Sequence, residues 1–455
     1  MSKKMTLTIF AISVFLLGAS GLLITSNVFK RTGALCIGTF IINGLLWITL
    51  LLIDIKRRAY SLTIIHWLFC IFFFFIAAIV QYAANSFPWI GYRDDNIILK
   101  TNLLLFVWTI SFIIGGRLSK KPINKSDSLK SEFIPKEKNI ILITIGAILI
   151  LLYKVSTIGF SGLFSKSLYT DAINIEDGSL SLLVNKFLVS YCCVSTLITI
   201  ILSKTRNNCR IYALINIICL FLAFFPPNLS RNVVATVYGS VLLALFPSFK
   251  KNRRFIIIFF LAFLVLFPFF NVFRYKEFSN VNIIDTLNAT IDNMSSEWTA
   301  GHYDAYTTLS LTIDHVKESG VTYGRQLLGV LLFFIPRSLW PNKPIGSGAY
   351  MAESIGTFSN ISCPLPGEGY INFGLIGLII FGILFGYAAK KIDDLYWQSE
   401  LYSLRIETLY PILLFMFFFM CRGDLLSSFA YLCAFVFVWF IMLIDWKSVT
   451  QRLKR

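Results

Sequence analysis

Long apolar runs recur along nearly the whole chain, and they constrain its fold more than any other feature. A helix that crosses a bilayer core about 30 Å thick needs roughly 20 mostly apolar residues. Twelve segments have this length and composition: 5–26, 33–53, 61–82, 98–116, 139–158, 181–203, 211–228, 233–249, 255–273, 371–389, 406–421 and 425–444. We therefore predict an all-α polytopic membrane protein with about twelve transmembrane helices.

The composition fits a membrane protein and excludes an ordinary soluble enzyme. Hydrophobic residues make up 56% of the chain and charged residues 14%, whereas soluble domains average about 25% charged residues. The net charge of +17 would suggest a nucleic-acid partner in a soluble protein. Here the Lys and Arg residues gather in short loops between apolar runs, as topology signals do, so we expect no nucleic acid as partner.

The distribution of positive charge predicts the orientation. A cytoplasmic N-terminus places most of the 41 Lys and Arg residues in inner segments, and an even number of spans then makes the C-terminus cytoplasmic as well. The chain divides into a nine-span region (1–273), a large outer loop with amphipathic or re-entrant helices (274–370) and a three-span region (371–455). Because the other loops are short, we expect the function to reside in the large loop.

Several common catalytic and nucleotide-binding motifs are absent from the sequence. It has no P-loop, no H-E-x-x-H, no G-x-S-x-G and no Rossmann fingerprint, and no C-x-x-C or His-rich cluster suggests a metal. We therefore expect no cofactor and no metal. Any chemistry should occur at a membrane face and use energy already stored in the substrate or in a gradient.

Four arginines stand at the predicted outer side of the membrane. Arg231 lies in a short turn, Arg274 ends the ninth span, Arg337 lies in the large loop and Arg422 lies in the turn before the last span. Guanidinium groups bind phosphate oxygens in a two-pronged manner, so a cluster of them would suit a lipid diphosphate. The alternative is that each arginine reaches the interface or pairs with a nearby acid, as Arg422 could with Asp424.

A carboxylate between two glycines is a candidate general base. Glu368 is flanked by Gly367 and Gly369, which leave room for a bulky substrate beside it. The alternative is that Glu368 caps a helix starting near Ile371, since an acid favours a helix N-terminus.

The segment 297–306 is the one place where His, Tyr, Asp, Glu and Trp residues crowd together. His302 and Asp304 are possible proton carriers, and Trp298, Tyr303 and Tyr306 resemble a sugar-stacking surface. The alternative for the aromatic residues is an amphipathic helix at the membrane interface.

Two motifs resemble a known family. The run Ile335-Pro-Arg-Ser-Leu-Trp-Pro-Asn-Lys-Pro344, followed by Gly367-Glu-Gly-Tyr-Ile-Asn-Phe-Gly-Leu-Ile-Gly377, is similar to segments of the bacterial O-antigen and related oligosaccharide repeat-unit polymerases (Wzy type). The layout is similar too, with many spans, one dominant loop and an outer turn between the last two spans. Trp340, within the first motif, is a further candidate substrate contact.

The resemblance implies an activity and a location. Such polymerases work at the periplasmic face of the bacterial inner membrane and share a fold with multispan lipid-linked glycosyltransferases. They move a growing glycan from undecaprenyl diphosphate onto a new lipid-linked repeat unit, together with a chain-length regulator and a flippase. No nucleotide is needed, because the sugar–diphosphate bond is already activated.

The resemblance also suggests roles for the candidate residues. An acceptor hydroxyl would attack the anomeric carbon, Arg231, Arg274, Arg337 and Arg422 would stabilise the departing diphosphate, and Glu368, or else Asp304 or His302, would act as base. Three alternatives remain: a flippase or other transporter, a ligase that joins finished glycan to a lipid core, and a non-catalytic assembly scaffold.

Overall fold

The computed structural model describes residues 31, 33–119, 135–166, 168–169, 178–252, 254–261, 298–356, 361–398 and 403–444. This described chain is all-helical, with 80% helix and no strands. The helices are α1 (Ala34–Arg57), α2 (Leu62–Ala83), α3 (Asp95–Leu118), α4 (Glu137–Gly162), α5 (Gly178–Ser203), α6 (Cys209–Ala223), α7 (Arg231–Leu245), α8 (Ser248–Asn252), α9 (Arg254–Leu261), α10 (Ala305–Ser319), α11 (Arg325–Leu331), α12 (Ser347–Ile355), α13 (Leu365–Gln398), α14 (Leu404–Arg422) and α15 (Leu425–Leu443).

Eight helices are long and apolar enough to cross a membrane: α1, α2, α3, α4, α5, α13, α14 and α15. They confirm the prediction of an all-helical polytopic membrane protein. The predicted span 5–26 and most of the predicted span 255–273 lie outside the described residues. The count of twelve spans, the orientation and the outer position of the loop stay predictions.

Two predicted spans are shorter than expected. Helices α6 and α7 are apolar but have only 15 residues each. Helix α6 ends before the 3₁₀ turn Pro226–Asn228, and α7 ends shortly before Pro247. Proline lacks a backbone donor and clashes with the preceding helical turn, so these prolines stop both helices early.

Helix α2 lies at the centre of the bundle, with 89% of its apolar window buried. Its middle, Cys70–Ile76, is a π-helix between two α-helical parts. Ser61 caps its start by accepting a hydrogen bond from the Ile64 N–H at 3.0 Å. This central helix packs against α1, α13 and α14.

Two hydrophobic cores meet at α14. The first core joins α1, α2, α3, α10 and α13, and the second joins α4, α5, α6, α7 and α15. Helix α14 contributes Tyr410 and Phe417 to the first core and Ile412 and Met416 to the second. The last residue of α14 therefore stands where both halves of the bundle meet.

The described part of the predicted outer loop is folded onto the bundle. It contains α10, α11 and α12, and α10 buries Tyr306, Leu309 and Ile313 in the first core. Helix α10 packs against α13 and α3. The segment is thus held by apolar contacts with the spans on which it lies.

Candidate functional site

A short turn at one end of the bundle brings three distant parts of the chain together. The 3₁₀ helix Gly301–Tyr303 and the next residue, Asp304, form this 301–304 turn. Arg422, the last residue of α14, donates from Nε to the His302 carbonyl at 2.9 Å. Its Nη2 donates to the Gly301 carbonyl and to Asp304 Oδ1, both at 3.1 Å. The guanidinium of Arg422 thus donates hydrogen bonds to three of the four residues of the turn.

The Asp304 carboxylate is fully engaged by hydrogen-bond donors. It is 1% exposed, and its Oδ1 accepts from Ser362 Oγ at 2.7 Å as well as from Arg422. Its Oδ2 accepts from Trp89 Nε1 at 3.1 Å and from the Ser362 N–H at 3.2 Å. These four hydrogen bonds fix the carboxylate in place, so in this arrangement Asp304 positions the turn.

The loop between α2 and α3 covers the 301–304 turn. Trp89 in this loop has a φ of 73°, which is uncommon for a bulky residue. A Cβ added to Gly301 would lie 2.2 Å from the Trp89 ring, so this close approach requires glycine. Arg93 holds the loop on α10 through Ser310 Oγ at 2.9 Å and an ion pair with Asp314.

A second arginine reaches the same turn from α7. Arg231 is the first residue of α7, and its Nη2 lies 3.5 Å from His302 Nδ1. A guanidinium can only donate, so Nδ1 is the acceptor in this contact. His302 is half-exposed, unlike the buried Asp304. Arg231 therefore contacts the ring of His302, and Arg422 contacts its main-chain carbonyl. Within the 301–304 turn, His302 is the accessible proton carrier.

Glu368 connects two helix N-termini that belong to other parts of the chain. It is 1% exposed, its Oε1 accepts from the Leu425 N–H at 2.8 Å, and its Oε2 accepts from Ser347 Oγ at 2.6 Å. The sequence suggested a base or a cap for a helix beginning near Ile371. The structure starts α13 earlier, at Leu365, so Glu368 lies inside α13 and binds the first residues of α15 and α12.

The suggested pairing of Arg422 with Asp424 is not found. Asp424 accepts at Oδ1 from the Ser427 N–H at 3.1 Å, and its Oδ2 lies so close to Gly346 that an added Cβ would be at 1.7 Å. Burial raises the pKa of the Asp424 carboxyl, and hydrogen bonds from backbone N–H groups, first that of Ser427, partly offset the rise together with the charge of Lys186. Arg422 pairs with Asp304 because Asp424 is turned toward the starts of α12 and α15.

The other two predicted arginines do not join this turn. Arg274 lies outside the described residues. Arg337 is exposed, and its Nη1 donates to the Lys343 carbonyl at 2.9 Å. Trp340 is half-buried in the same loop, and Lys343 closes this loop by donating to the Phe333 carbonyl at 2.6 Å. The described contacts thus bring together two of the four arginines.

The two predicted sugar-stacking tyrosines are core residues in this structure. Tyr303 is 3% exposed, with its ring 5.4 Å from Phe73 and 4.7 Å from Trp298. Tyr306 is fully buried and donates to Asn102 Oδ1 at 3.0 Å. Neither ring presents an open face on which a sugar could stack.

Sequence reasoning missed the residues that hold the turn in place. Gln81 donates to the carbonyls of Trp298 and Tyr303, at 2.9 and 3.0 Å, and Ser362 binds Asp304. Gln81 had a signal, because it is a polar residue within an apolar span, where polar side chains mark functional or partnered positions. Ser362 had no such signal.

No family model matches this chain, and neither a curated protein nor a solved structure matches it.

Proposed function

We propose that this protein polymerises undecaprenyl-diphosphate-linked oligosaccharide repeat units at the outer face of the bacterial inner membrane. The growing glycan is transferred from its lipid carrier onto a new lipid-linked unit. The observation that supports this most is the approach of Arg231 and Arg422, from two different helices, to the half-exposed His302. The resemblance of the motifs 335–344 and 367–377 to the repeat-unit polymerases points to the same activity.

The proposed reaction is a substitution at the anomeric carbon of the donor sugar. A hydroxyl of the acceptor forms the new glycosidic C–O bond, and the C–O bond between sugar and diphosphate breaks. The electron pair of that bond leaves with the diphosphate, and the hydroxyl proton passes to a base on the protein. The protein supplies charge stabilisation, orientation and the base.

Arg231 and Arg422 stabilise the negative charge of the leaving diphosphate in this proposal. The Nη1 group of Arg422 makes no hydrogen bond to any described residue, so it can donate to a phosphate oxygen without loosening the turn. Arg231 contacts His302 at 3.5 Å, which is at the limit of a hydrogen bond, so an anion with two oxygens can compete for it.

His302 is the proposed base, in preference to Glu368 and Asp304. In this proposal Arg231 moves toward the diphosphate and gives up its contact with His302 Nδ1, and Nδ1 then accepts the hydroxyl proton. Both oxygens of Glu368 and both oxygens of Asp304 already accept hydrogen bonds, so these two carboxylates position the helices and the turn.

The experiment is a gel of surface polysaccharide from a deletion strain complemented with point variants. Arg422→Ala and His302→Ala should give glycan of a single repeat unit while the protein remains in the membrane. Arg210→Ala is the matched control, because Arg210 is exposed at the start of α6 and removes the same charge elsewhere. Normal ladders in both test variants would refute the proposed site.

The same gel separates a polymerase from the alternatives. A strain without the polymerase still attaches one repeat unit to the lipid core, whereas a strain without a ligase or without a flippase attaches none. A scaffold would tolerate every arginine substitution. A chain-length regulator and a flippase of the same pathway are the proposed partners.

A further inference from the structure

A cavity of about 430 Å³ lies between α10, α11 and α12. We call it the α11–α12 cavity. Its volume falls within the roughly 300–1,000 Å³ typical of small-molecule sites. Its polar lining includes Thr322, Arg325, Gln326, Asn342, Tyr350 and Glu353.

Both sequence motifs contribute to this cavity. Asn342, Lys343 and Pro344 of the first motif line it. From the second motif, Asn372 Oδ1 lies 3.2 Å from Thr322 Oγ1 and accepts from the Leu327 N–H at 3.2 Å. These contacts fix the α11 side of the cavity to α13.

Glu368 fixes the opposite wall. Its Oε2 binds the hydroxyl of Ser347, the first residue of α12, and α12 carries Tyr350 and Glu353 into the cavity lining. Glu368 and Asn372 of the second motif therefore support the walls of the cavity without lining it.

Gln326, which lines the cavity, has a buried side-chain oxygen that lacks a hydrogen-bond donor among the described residues. Gln326 is 5% exposed, and its Oε1 is buried without a hydrogen bond to any described residue. Buried acceptors are almost always satisfied, because an unsatisfied one loses its hydration without compensation. A ligand hydroxyl or amide in the cavity would satisfy this oxygen.

The rest of the lining has the donors and acceptors that a sugar needs. Arg325 is exposed, and its Nη2 makes only one long contact, 3.4 Å to the Asn342 carbonyl. Glu353 adds an exposed carboxylate as acceptor. The Tyr350 ring packs edge-on against His315 at 5.0 Å, which fixes it as a surface for an apolar sugar face.

We propose that the α11–α12 cavity binds a neutral saccharide, with a hydroxyl donating to Gln326 Oε1. Arg325 and Lys343 outnumber Glu353 in the lining, but an anion that carries only acceptor oxygens is disfavoured, because it would leave Gln326 Oε1 without a donor. An apolar ligand is disfavoured, because it would leave the Gln326 oxygen unsatisfied. The site is separate from the 301–304 turn, and it rests on the proposed function only for the expectation that the saccharide is the glycan being extended.

The test measures saccharide binding to the full chain in lipid nanodiscs, prepared without sugar-headed detergent because such headgroups would compete. The probe is the lipid-free oligosaccharide of one repeat unit, released from the surface polysaccharide of the host cell. We expect the wild type to bind it and Gln326→Met, which has similar volume and no oxygen, to bind about tenfold more weakly. Arg210→Ala, which changes an exposed arginine of α6 that does not line the cavity, should bind it as the wild type does.

Two further variants guard against misfolding of Gln326→Met. Arg325→Ala and Glu353→Ala change exposed residues, and each should weaken binding several-fold. No binding by the wild type, or wild-type binding by all three cavity variants, would overturn the inference.

The outcomes for the cavity and for the polymerase are distinguishable. If the wild type does not bind the probe but Arg422→Ala loses its polysaccharide ladders, only the proposal of a saccharide site in the cavity is refuted. Binding that depends on Gln326, with normal ladders in the deletion strain, supports the cavity and overturns the polymerase.

Discussion

The two ends of the helical bundle carry similar charged residues and arrange them differently. At one end Asp393 is fully buried and accepts from the Leu62 N–H at 2.8 Å and the Tyr410 hydroxyl at 2.7 Å, and Arg58 lies 3.6 Å away. At the other end Asp304 is equally buried and binds Arg422 at 3.1 Å. A buried aspartate paired with an arginine is thus present at both ends.

The surroundings of the two pairs differ. Near Asp393, further cations have acids of their own, since Lys250 binds Glu407 at 2.5 Å and Lys390 binds Asp394 at 2.9 Å. At the 301–304 turn, Arg422 pairs with Asp304, and a second arginine, Arg231, contacts the half-exposed His302. The comparison teaches that a buried ion pair is present at both ends and cannot by itself distinguish them, so the proposed site rests on the second arginine and the half-exposed histidine beside one of the two pairs.

The sharpest test of this comparison is the same conservative change at both ends. Arg422→Lys keeps the charge but cannot reproduce the forked contacts with the His302 and Gly301 carbonyls and with Asp304. We expect polymer formation to fall about 10²–10³-fold, measured from polysaccharide ladders. Arg58→Lys should leave the ladders unchanged. Equal losses in both variants would remove the distinction between the two ends.

Removal of the buried negative charge should affect stability more at the Asp304 end. Asp304→Asn leaves Arg422 without its acid, and breaking such a pair typically costs about 3–5 kcal/mol, whereas Asp393→Asn leaves Arg58 paired with Asp394. Thermal unfolding of the purified proteins should show the larger loss in Asp304→Asn. Polymer formation per folded molecule should fall only in Asp304→Asn. A loss of activity in folded Asp393→Asn would contradict a purely structural role for that end.

The packing of the covering loop on the turn gives a smaller effect. Gly301→Ala places a Cβ about 2 Å from the Trp89 ring, so the ring must move, and overpacking of this kind costs about 1–3 kcal/mol. Gly38→Ala is the matched control, because nothing lies within 4 Å of its added Cβ. Unfolding midpoints should fall only for Gly301→Ala. An unchanged unfolding midpoint would mean that the loop carrying Trp89 moves aside without a measurable loss of stability.

The smallest expected effect is a pH dependence of stability. Burial lowers the pKa of His315 below its ordinary 6.5, and the charge of Glu318 partly opposes the shift. His315 therefore binds a proton at about pH 6.5 in the unfolded chain but only at a lower pH in the folded chain. The free energy of unfolding consequently falls as the pH drops below about 6.5. Unfolding midpoints between about pH 8 and about pH 5 should decline less steeply in His315→Gln. Parallel profiles would exclude His315 as the cause.

Much of the fold follows from the sequence, because lipid imposes length and composition on each span. The ten apolar helices of the described chain match predicted spans, including α14, which runs through Pro411. The early ends of α6 and α7 could have been read from Pro226 and Pro247. Proline is a local signal, and its effect does not depend on tertiary contacts.

The candidate site was only partly predictable, because its contacts join residues far apart in the chain. Arg231, Arg422 and His302 were identified as candidates, but the partner of Arg422 was not. Asp424 is close in sequence, whereas Asp304 is close in space. The burial of Tyr306 also depends on how α10 folds onto α1 and α3, which no local pattern encodes.

The π-helix within α2 determines the direction in which the side chains of the following part of that helix, Ala77–Ala83, point. Each residue turns an α-helix by about 100°, and a π segment changes this phase locally. Deletion of one residue from Cys70–Ile76 would swing Gln81 away from the Tyr303 carbonyl while leaving the start of α2 in place. The π-helix Cys70–Ile76 therefore determines whether Gln81 points toward the 301–304 turn.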